Sequence, residues 1–234
     1  MSGDEGAAGI AAQTAELAAI RRRVLNVIGH ELRTPVTTLH GLAEQACVAE
    51  DLQTVTAEIG PALLRNAERL TVLLDDLLIA AGIRTAVPVG GPEEIDLTSL
   101  VEEIWEELSP TPLQLAGGPH RVTLPVVPVR RALHAVLDNA VAYGTGAPQV
   151  TLSSVEGTAT VTVQSPGPAL HPEEVHLATE AFFRGERAVT TRPGLGVGLA
   201  IALAMADHVG GTLRFEGDGG GTVTTITLPQ GGVR

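Results

Sequence analysis

The stretch Val27-Ile28-Gly29-His30-Glu31-Leu32-Arg33-Thr34-Pro35 decides how the first third of this 234-residue chain is read. Around it Val24, Ile28, Leu32, Val36, Leu39 and Ala43 recur at steps of three and four, the spacing of one face of an α-helix. A helix turns ~100° per residue, so His30 stands ~200° from both Ile28 and Leu32 and points away from that apolar stripe. Thr34 follows one turn later on the same outward face, and Glu31 neighbours the imidazole. An isolated histidine on such a face is most often merely solvated. Beside a carboxylate it also suits nucleophilic chemistry at one ring nitrogen, with Glu31 accepting the proton or holding the tautomer.

Working outward, residues 1–20 are rich in Ala and Gly and become helix-like from about Ala11. From Arg21 to roughly Ala49 the only strong breaker is Pro35. Residues 50–52 read as a short connection. A second periodic stretch covers about 54–81, with Leu63, Leu70 and Leu77 spaced by seven and Asn66, Leu73 and Ala80 between them. That is a heptad seam, the mark of helix pairing. Pro61 is expected to kink its start. Two long helices joined by a short loop make an antiparallel hairpin. One hairpin cannot cover both apolar faces, so a homodimeric four-helix bundle is expected.

Residues 87–92 (VPVGGP) read as a linker between residues 21–86 and a second domain, 93–234. In the latter, Asp96 is placed to cap a helix running to about Leu108. Residues 121–127 read as a strand and 129–143 as a helix. Residues 150–155 and 158–164 alternate at period two about Glu156-Gly157, a hairpin pattern. Residues 196–209 read as a helix, and 212–216 with 222–228 as a closing hairpin about Asp218-Gly219-Gly220. Strand hairpins interspersed with helices indicate an α+β sandwich.

Composition narrows the function classes. With 44% apolar residues the chain can bury a core, and wholesale disorder is excluded. The longest uncharged apolar stretch, 193–206, is Gly-rich and short of the ~20 residues of a membrane span. Residues 1–9 contain Asp4 and Glu5 and no apolar core, so no secretory signal is read there. Cys47 is the single cysteine, which excludes an intrachain disulfide and a Cys-based metal site. These features suit a soluble, cytoplasmic protein. The net charge is −12 and all fifteen basic residues are Arg. Such a chain repels phosphate backbones, so nucleic acid is not an expected partner.

The block from Gly29 to Pro35, with Val36, Leu39 and Gly41 in register, resembles the H-box of bacterial two-component sensor histidine kinases. Residues 68–78 (ERLTVLLDDLL) resemble the second dimerisation helix of that family. The resemblance continues in order along the chain. Leu137-Asp138-Asn139-Ala140 with Tyr143 is similar to the N-box, and Ser165-Pro166-Gly167-Pro168 with Pro172-Glu173-Glu174 to the first glycine box. Phe182-Phe183-Arg184-Gly185 is similar to the F-box, Gly194-Leu195-Gly196-Val197-Gly198-Leu199 to the second glycine box, and Gly221-Thr222 to the closing strand. Alternating glycines before a helix are a weak signal alone; a helix N-terminus that backbone can approach does favour phosphates.

The resemblance covers about residues 21–229 and implies a helical dimerisation and phosphotransfer domain followed by a GHKL-type ATPase fold. That fold has a mixed sheet with helices on one face and a mobile lid at roughly 185–193. It implies that ATP phosphorylates His30 and that the phosphoryl group passes to an Asp of a response regulator. Glu31-x-x-Thr34 matches the family's phosphatase signature; alternatively, the Thr34 hydroxyl caps backbone freed by Pro35. Asn139 matches the residue that holds Mg²⁺, a hard cation that takes oxygen ligands. Nucleotide contacts are implied for Asn139, Tyr143, Ser165, Gly167, Arg184, Gly194, Leu195, Gly196, Val197, Gly198, Leu199 and Thr222.

Four positions depart from the pattern. Ser165 stands where the family has an adenine-binding Asp, Ala135 where it has a second Asn, and Ala142 where it often has a Lys. Ala169 also replaces a Gly. Arg184, Arg187 and Arg192 could supply the missing cation. The departures leave a second reading open, a phosphotransfer or docking protein that acts on a regulator without using ATP. No sensor domain is read in the chain, so a separate sensor protein is a possible partner. Cys47 is read as packing or as a redox-sensitive thiol.

Overall fold

A computed structural model describes residues 2–49, 51, 53, 55–82, 90–167, 172–184, 195–217 and 219–231; of residues 2–24, 172 and 173 it describes the backbone only. The expected lid at 185–193, Gly194, residues 87–89 of the linker and Asp218 lie outside these. The chain divides into two compact units, residues 1–75 and 76–234.

In the first unit, helix α1 runs unbroken over Ser2–Val48, so the helix begins well before Ala11 and includes the N-terminal extension. Pro35 sits inside it. A π-helical turn, Val55–Ile59, opens the second arm, and α2 follows over Gly60–Ala80, its residues from Asp76 onward counting with the second unit. Wide turns of this kind accommodate a residue that breaks the regular ladder. Pro61 therefore stands at the second position of α2, where its missing N–H costs little, rather than kinking a longer helix. Pro35 and Ile59 are the only buried side chains among the described residues of this unit. The seam residues Leu63, Asn66, Leu70, Leu73, Leu77 and Ala80 are half-buried. On the rest of α2, Leu64, Val72, Leu74 and Leu78 are exposed, Leu64 by 60%. A helix this apolar with no buried side chain has not spent its hydrophobic surface within one chain.

The second unit is an α+β sandwich. Strand β1 (Glu93–Asp96) leads into α3 (Leu97–Leu108), whose N-cap is Asp96 as expected: its carboxylate accepts from the amides of Thr98 (2.9 Å) and Ser99 (3.4 Å). Next come β2 (Gln114–Ala116), β3 (Arg121–Leu124) and α4 (Val126–Tyr143). The strand expected to reach 127 therefore stops at Leu124, and the helix starts at Val126. Pro125 ends the ladder because it has no N–H, and Pro128 falls in the first helical turn, where none is needed. The chain continues through β4 (Gln149–Val155), β5 (Thr158–Pro166), a single turn α5 (Pro172–Val175), α6 (Gly198–His208), β6 (Thr212–Gly217) and β7 (Gly221–Pro229). Both expected hairpins form, the first about Glu156-Gly157 with both residues at positive φ.

Strand order in the main sheet is β2-β4-β5-β7-β6, antiparallel except for the parallel pair β2-β4; β1 and β3 form a separate antiparallel pair. Along β4 and β5 the buried positions alternate (Val150, Leu152; Ala159, Val161, Val163, Ser165), so one face of the sheet carries the core. Leu97, Val101 and Ile104 of α3 and Val129, Leu133, Val136 and Leu137 of α4 fill that core with Ile226 and Leu228. Arg130 of α4 reaches back to α3, its guanidinium 3.2 Å from Glu103 and 2.6 Å from Glu107.

Candidate functional site

His30 lies on the outward face of α1 with a 70% exposed side chain, as the helical spacing demands. Its Nδ1 stands 3.8 Å from Glu31 Oε1, longer than a hydrogen bond. The Thr34 hydroxyl donates to the His30 carbonyl, one turn back, at 3.4 Å. The carbonyl that Pro35 leaves without an amide is that of Glu31, so Thr34 does not cap the backbone freed by the proline. The bond is long, and the hydroxyl sits on the same face as the imidazole. Together with Arg33, Thr37 and Thr38, these two residues line a shallow depression of about 340 Å³. Thr38 repeats the pattern, its hydroxyl donating to the Thr34 carbonyl at 3.1 Å.

The second candidate site lies within the second unit, over the open end of its core. Asn139 and Tyr143 are one turn apart on α4, Asn139 half-buried and Tyr143 37% exposed. Ser165, near the end of β5, is only 6% exposed, and its hydroxyl reaches toward the Ala140 carbonyl at 3.4 Å. Thr222 of β7 is its direct cross-strand partner, so the two side chains share the helix-covered face of the sheet. Gly167 follows at the strand end, its amide bonded to the Gly220 carbonyl at 3.1 Å.

The glycine-rich loop closes the other side. Gly196 adopts φ +70°, and a Cβ there would come within 2.5 Å of the Phe183 carbonyl oxygen. The Phe182 amide bonds the Gly196 carbonyl at 2.8 Å, which ties the Phe182-Phe183-Arg184 segment to the loop, with Arg184 half-buried beside it. Leu195, Val197 and Leu199 bury their side chains, leaving backbone as their means of contact with any ligand. Gly198 opens α6, and its N-cap, Val197, supplies no side-chain cap. A Cβ on Gly198 would lie 4.0 Å from the Ala135 carbonyl, so the loop abuts α4 one turn before Asn139. Thus α4, the ends of β5 and β7, Phe182–Arg184 and the start of α6 converge. Gly194, Arg187 and Arg192 lie outside the described residues.

Comparison with known proteins follows the same order of blocks. Residues 20–85 match the His Kinase A (phospho-acceptor) domain, and residues 126–232 match the histidine kinase-, DNA gyrase B- and HSP90-like ATPase family. The chain belongs to the bacterial two-component sensor histidine kinases. It is 29% identical over 236 residues to the sensor histidine kinase MtrB of Mycolicibacterium paratuberculosis, covering 93% of this chain and 40% of that protein. It is 32% identical over 227 residues to the sensor protein KdpD of Escherichia coli, covering 90% of this chain and 24% of that protein. The chain therefore spans less than half the length of these relatives. Among solved structures, the mycobacterial sensor histidine kinase MprB aligns with TM-score 0.51 at 29% identity, over 61% of this chain and 99% of that one. Full-length ShkA, solved in complex with AMPPNP, shares the fold with TM-score 0.60 at 20% identity, over 91% of this chain and 46% of that one.

For a histidine kinase the donor set on α4 is sparse. Among the described residues no cluster of three or more His, Cys, Asp or Glu could hold a metal. The Asn139 amide oxygen is a hard ligand of the kind Mg²⁺ takes, and a cation held by one such ligand fits if substrate phosphates and water complete its shell. Sequence reasoning missed Arg33, Thr37 and Thr38 around the histidine; their offsets of three, seven and eight from His30 are helical spacings that could have found them. It also missed β1 and β2, four and three residues long, too short for a periodic signal. No helix among the described residues is long and apolar enough to cross a membrane.

Proposed function

We propose that this chain is the catalytic core of a sensor histidine kinase that phosphorylates His30 from ATP and passes the phosphoryl group to an Asp of a response regulator. The supporting observation is the convergence of Asn139, Ser165, Thr222 and the Gly196 loop on one end of the second unit, together with an exposed His30 beside Glu31 on the first. Residues 21–86 serve as the dimerisation and phosphotransfer domain, 87–92 as the linker and 93–234 as the ATP-binding domain. The unspent apolar surface of α2 makes a second copy of the chain the natural partner, giving a homodimeric four-helix bundle. The reaction needs ATP, so these domains act in the cytoplasm, and the signal comes from a sensor segment or a separate sensor protein.

In this reading, Glu31 faces Nδ1 and leaves Nε2 to attack the γ-phosphorus. A P–N bond forms, the bond from phosphorus to the bridging oxygen breaks with ADP leaving, and the imidazole proton moves from Nδ1 to Glu31. A bound Mg²⁺, held by Asn139 and the phosphates, would neutralise charge on the transferring group. The Gly196 loop and the uncapped start of α6 offer backbone amides to the phosphates. Ser165 and Thr222 face the base, and Tyr143 borders it. Thr34, whose hydroxyl lies on the His30 face, positions water in a phosphatase reaction that hydrolyses the regulator's phospho-Asp to Asp and inorganic phosphate.

Incubation with γ-labelled ATP tests the reading. Acid-labile label should appear on the wild-type chain and vanish in His30→Gln, with the dimer mass unchanged. Label persisting in the variant overturns the assignment. A wild-type chain that takes no label from ATP yet exchanges phosphate with a phosphorylated regulator supports the second reading, a phosphotransfer protein that has lost ATP use. Ser165, Ala135 and Ala142 are the residues that motivate it.

A further inference from the structure

We propose that the groove beside Trp105 in the second unit docks an extended peptide segment of a partner protein, one that carries basic side chains at alternate positions and adds as a strand to the free edge of β2. The site shares no residue with the nucleotide pocket, since β2 lies two strands away from β5.

The groove encloses about 550 Å³ between α3 and the segment that leads into β2, floored by Trp105, Pro110, Leu113 and Leu115. Its wall is pinned in place. The Trp105 indole N–H donates to the Thr111 carbonyl at 2.6 Å, and the hydroxyls of Ser109 and Thr111 bond each other at 2.8 Å. Pro110 and Pro112 carry no amide hydrogen, so the segment cannot extend the sheet itself, and strand pairing starts only at Gln114.

Beyond that point the edge is open. Among the described residues β2 pairs with β4 on one side and with no strand on the other. Gln114, Leu115 and Ala116 carry none of the charges or prolines that usually blunt such an edge. Strand addition uses these free backbone groups for affinity and alternate side chains for specificity.

Charge selects the occupant. Four glutamates lie on α3, and Arg130 takes two of them, Glu103 and Glu107. Glu102 and Glu106 line the groove instead, exposed and with no cation in ion-pair range among the described residues. They stand four residues apart, ~6 Å along the axis, close to the ~6.5–7 Å between alternate side chains of an extended strand. Two basic side chains of one strand can meet them, their aliphatic stems lying over Leu113 and Leu115, which line the same groove, while the intervening side chains point to the opposite face of the sheet. The chain's own net charge of −12 disfavours a second copy as the source, so the occupant is a basic segment of another protein.

Trp105 is the only tryptophan of the chain, so its emission reports on this groove alone. The test titrates the full chain with a blocked eight-residue peptide of alternating arginine and valine. Its controls are the glutamate–valine counterpart and an arginine–valine peptide N-methylated at alternate amides. A saturable emission change with the basic peptide is expected, weakening as salt rises. Affinity should fall at least tenfold for the N-methylated peptide and in the double variant Glu102→Gln/Glu106→Gln. The variant should keep the wild-type melting temperature and ATP affinity, which separates this surface from the kinase assignment. No saturable change, an equal response to the acidic peptide, or unaltered affinity in the double variant would overturn the proposal. Unaltered affinity of the N-methylated peptide would overturn strand addition.

Discussion

Replacing Ser165 by Asp should tighten ATP binding and widen the preference for ATP over GTP. Ser165 is 6% exposed, on the face of β5 that its partner Thr222 shares, and its hydroxyl points to the Ala140 carbonyl at 3.4 Å. With that hydrogen committed, the oxygen keeps its lone pairs and can still accept from an adenine amino group, but as a neutral acceptor it gives a weaker bond than a charged one. A carboxylate there accepts a charge-assisted bond worth about 1.5–3 kcal/mol, which corresponds to roughly a tenfold to hundredfold gain in affinity. A guanine presents a carbonyl at the same place and would be repelled, so GTP gains nothing. The variant has a cost without nucleotide, because a carboxylate cannot donate to Ala140 and is desolvated in that position. Its melting temperature should therefore fall in the apo form and recover with ATP more than the parent's does. Calorimetric titration of ATP and GTP against both proteins measures the ratio directly. Equal ATP affinities in the two, with a strong ATP preference already present in the parent, would mean that Ser165 does not face the base.

Three further outcomes are expected. In His30→Gln the acid-labile label disappears while nucleotide affinity stays at the parent value, since the residue acts on the transferred group and not in the nucleotide pocket; equilibrium binding of a fluorescent ATP analogue checks this. Thr34→Ala should lower dephosphorylation of a phosphorylated regulator more than autophosphorylation, because its hydroxyl lies one turn from His30 without being the nucleophile; an equal loss of both rates would make its role structural. Gly196→Ala meets the Phe183 carbonyl at 2.5 Å and must hold φ near +70°, a conformation that costs an L-residue about 1–2 kcal/mol before the clash is counted. It should lower the melting temperature and weaken ATP at least tenfold, and a neutral result would show that the loop repacks freely.

Much of this architecture was legible before any coordinates. The three-and-four spacing from Val24 to Ala43 determined that His30 would face outward, because helical geometry alone sets that angle. Asp96 as an N-cap and the hairpin at Glu156-Gly157 were equally local, each depending on residues within one turn. The ordered blocks from Asn139 to Thr222 specified the family of the fold. What the sequence could not determine were the features set by neighbours distant in the chain. The strands β1 and β2 exist only because β3 and β4 pair with them, and segments of four and three residues carry no period of their own. Pro61 reads as a kink until a π-helical turn before it makes it a helix start. Ser165 reads as an exchange of one side chain for another, but only its burial against Ala140 shows where the hydroxyl hydrogen goes. The split of the four α3 glutamates, two held by Arg130 and two left on an open groove, required the packing of α3 on α4. Local geometry is written in adjacent residues; which polar groups are already satisfied is decided only when remote elements meet.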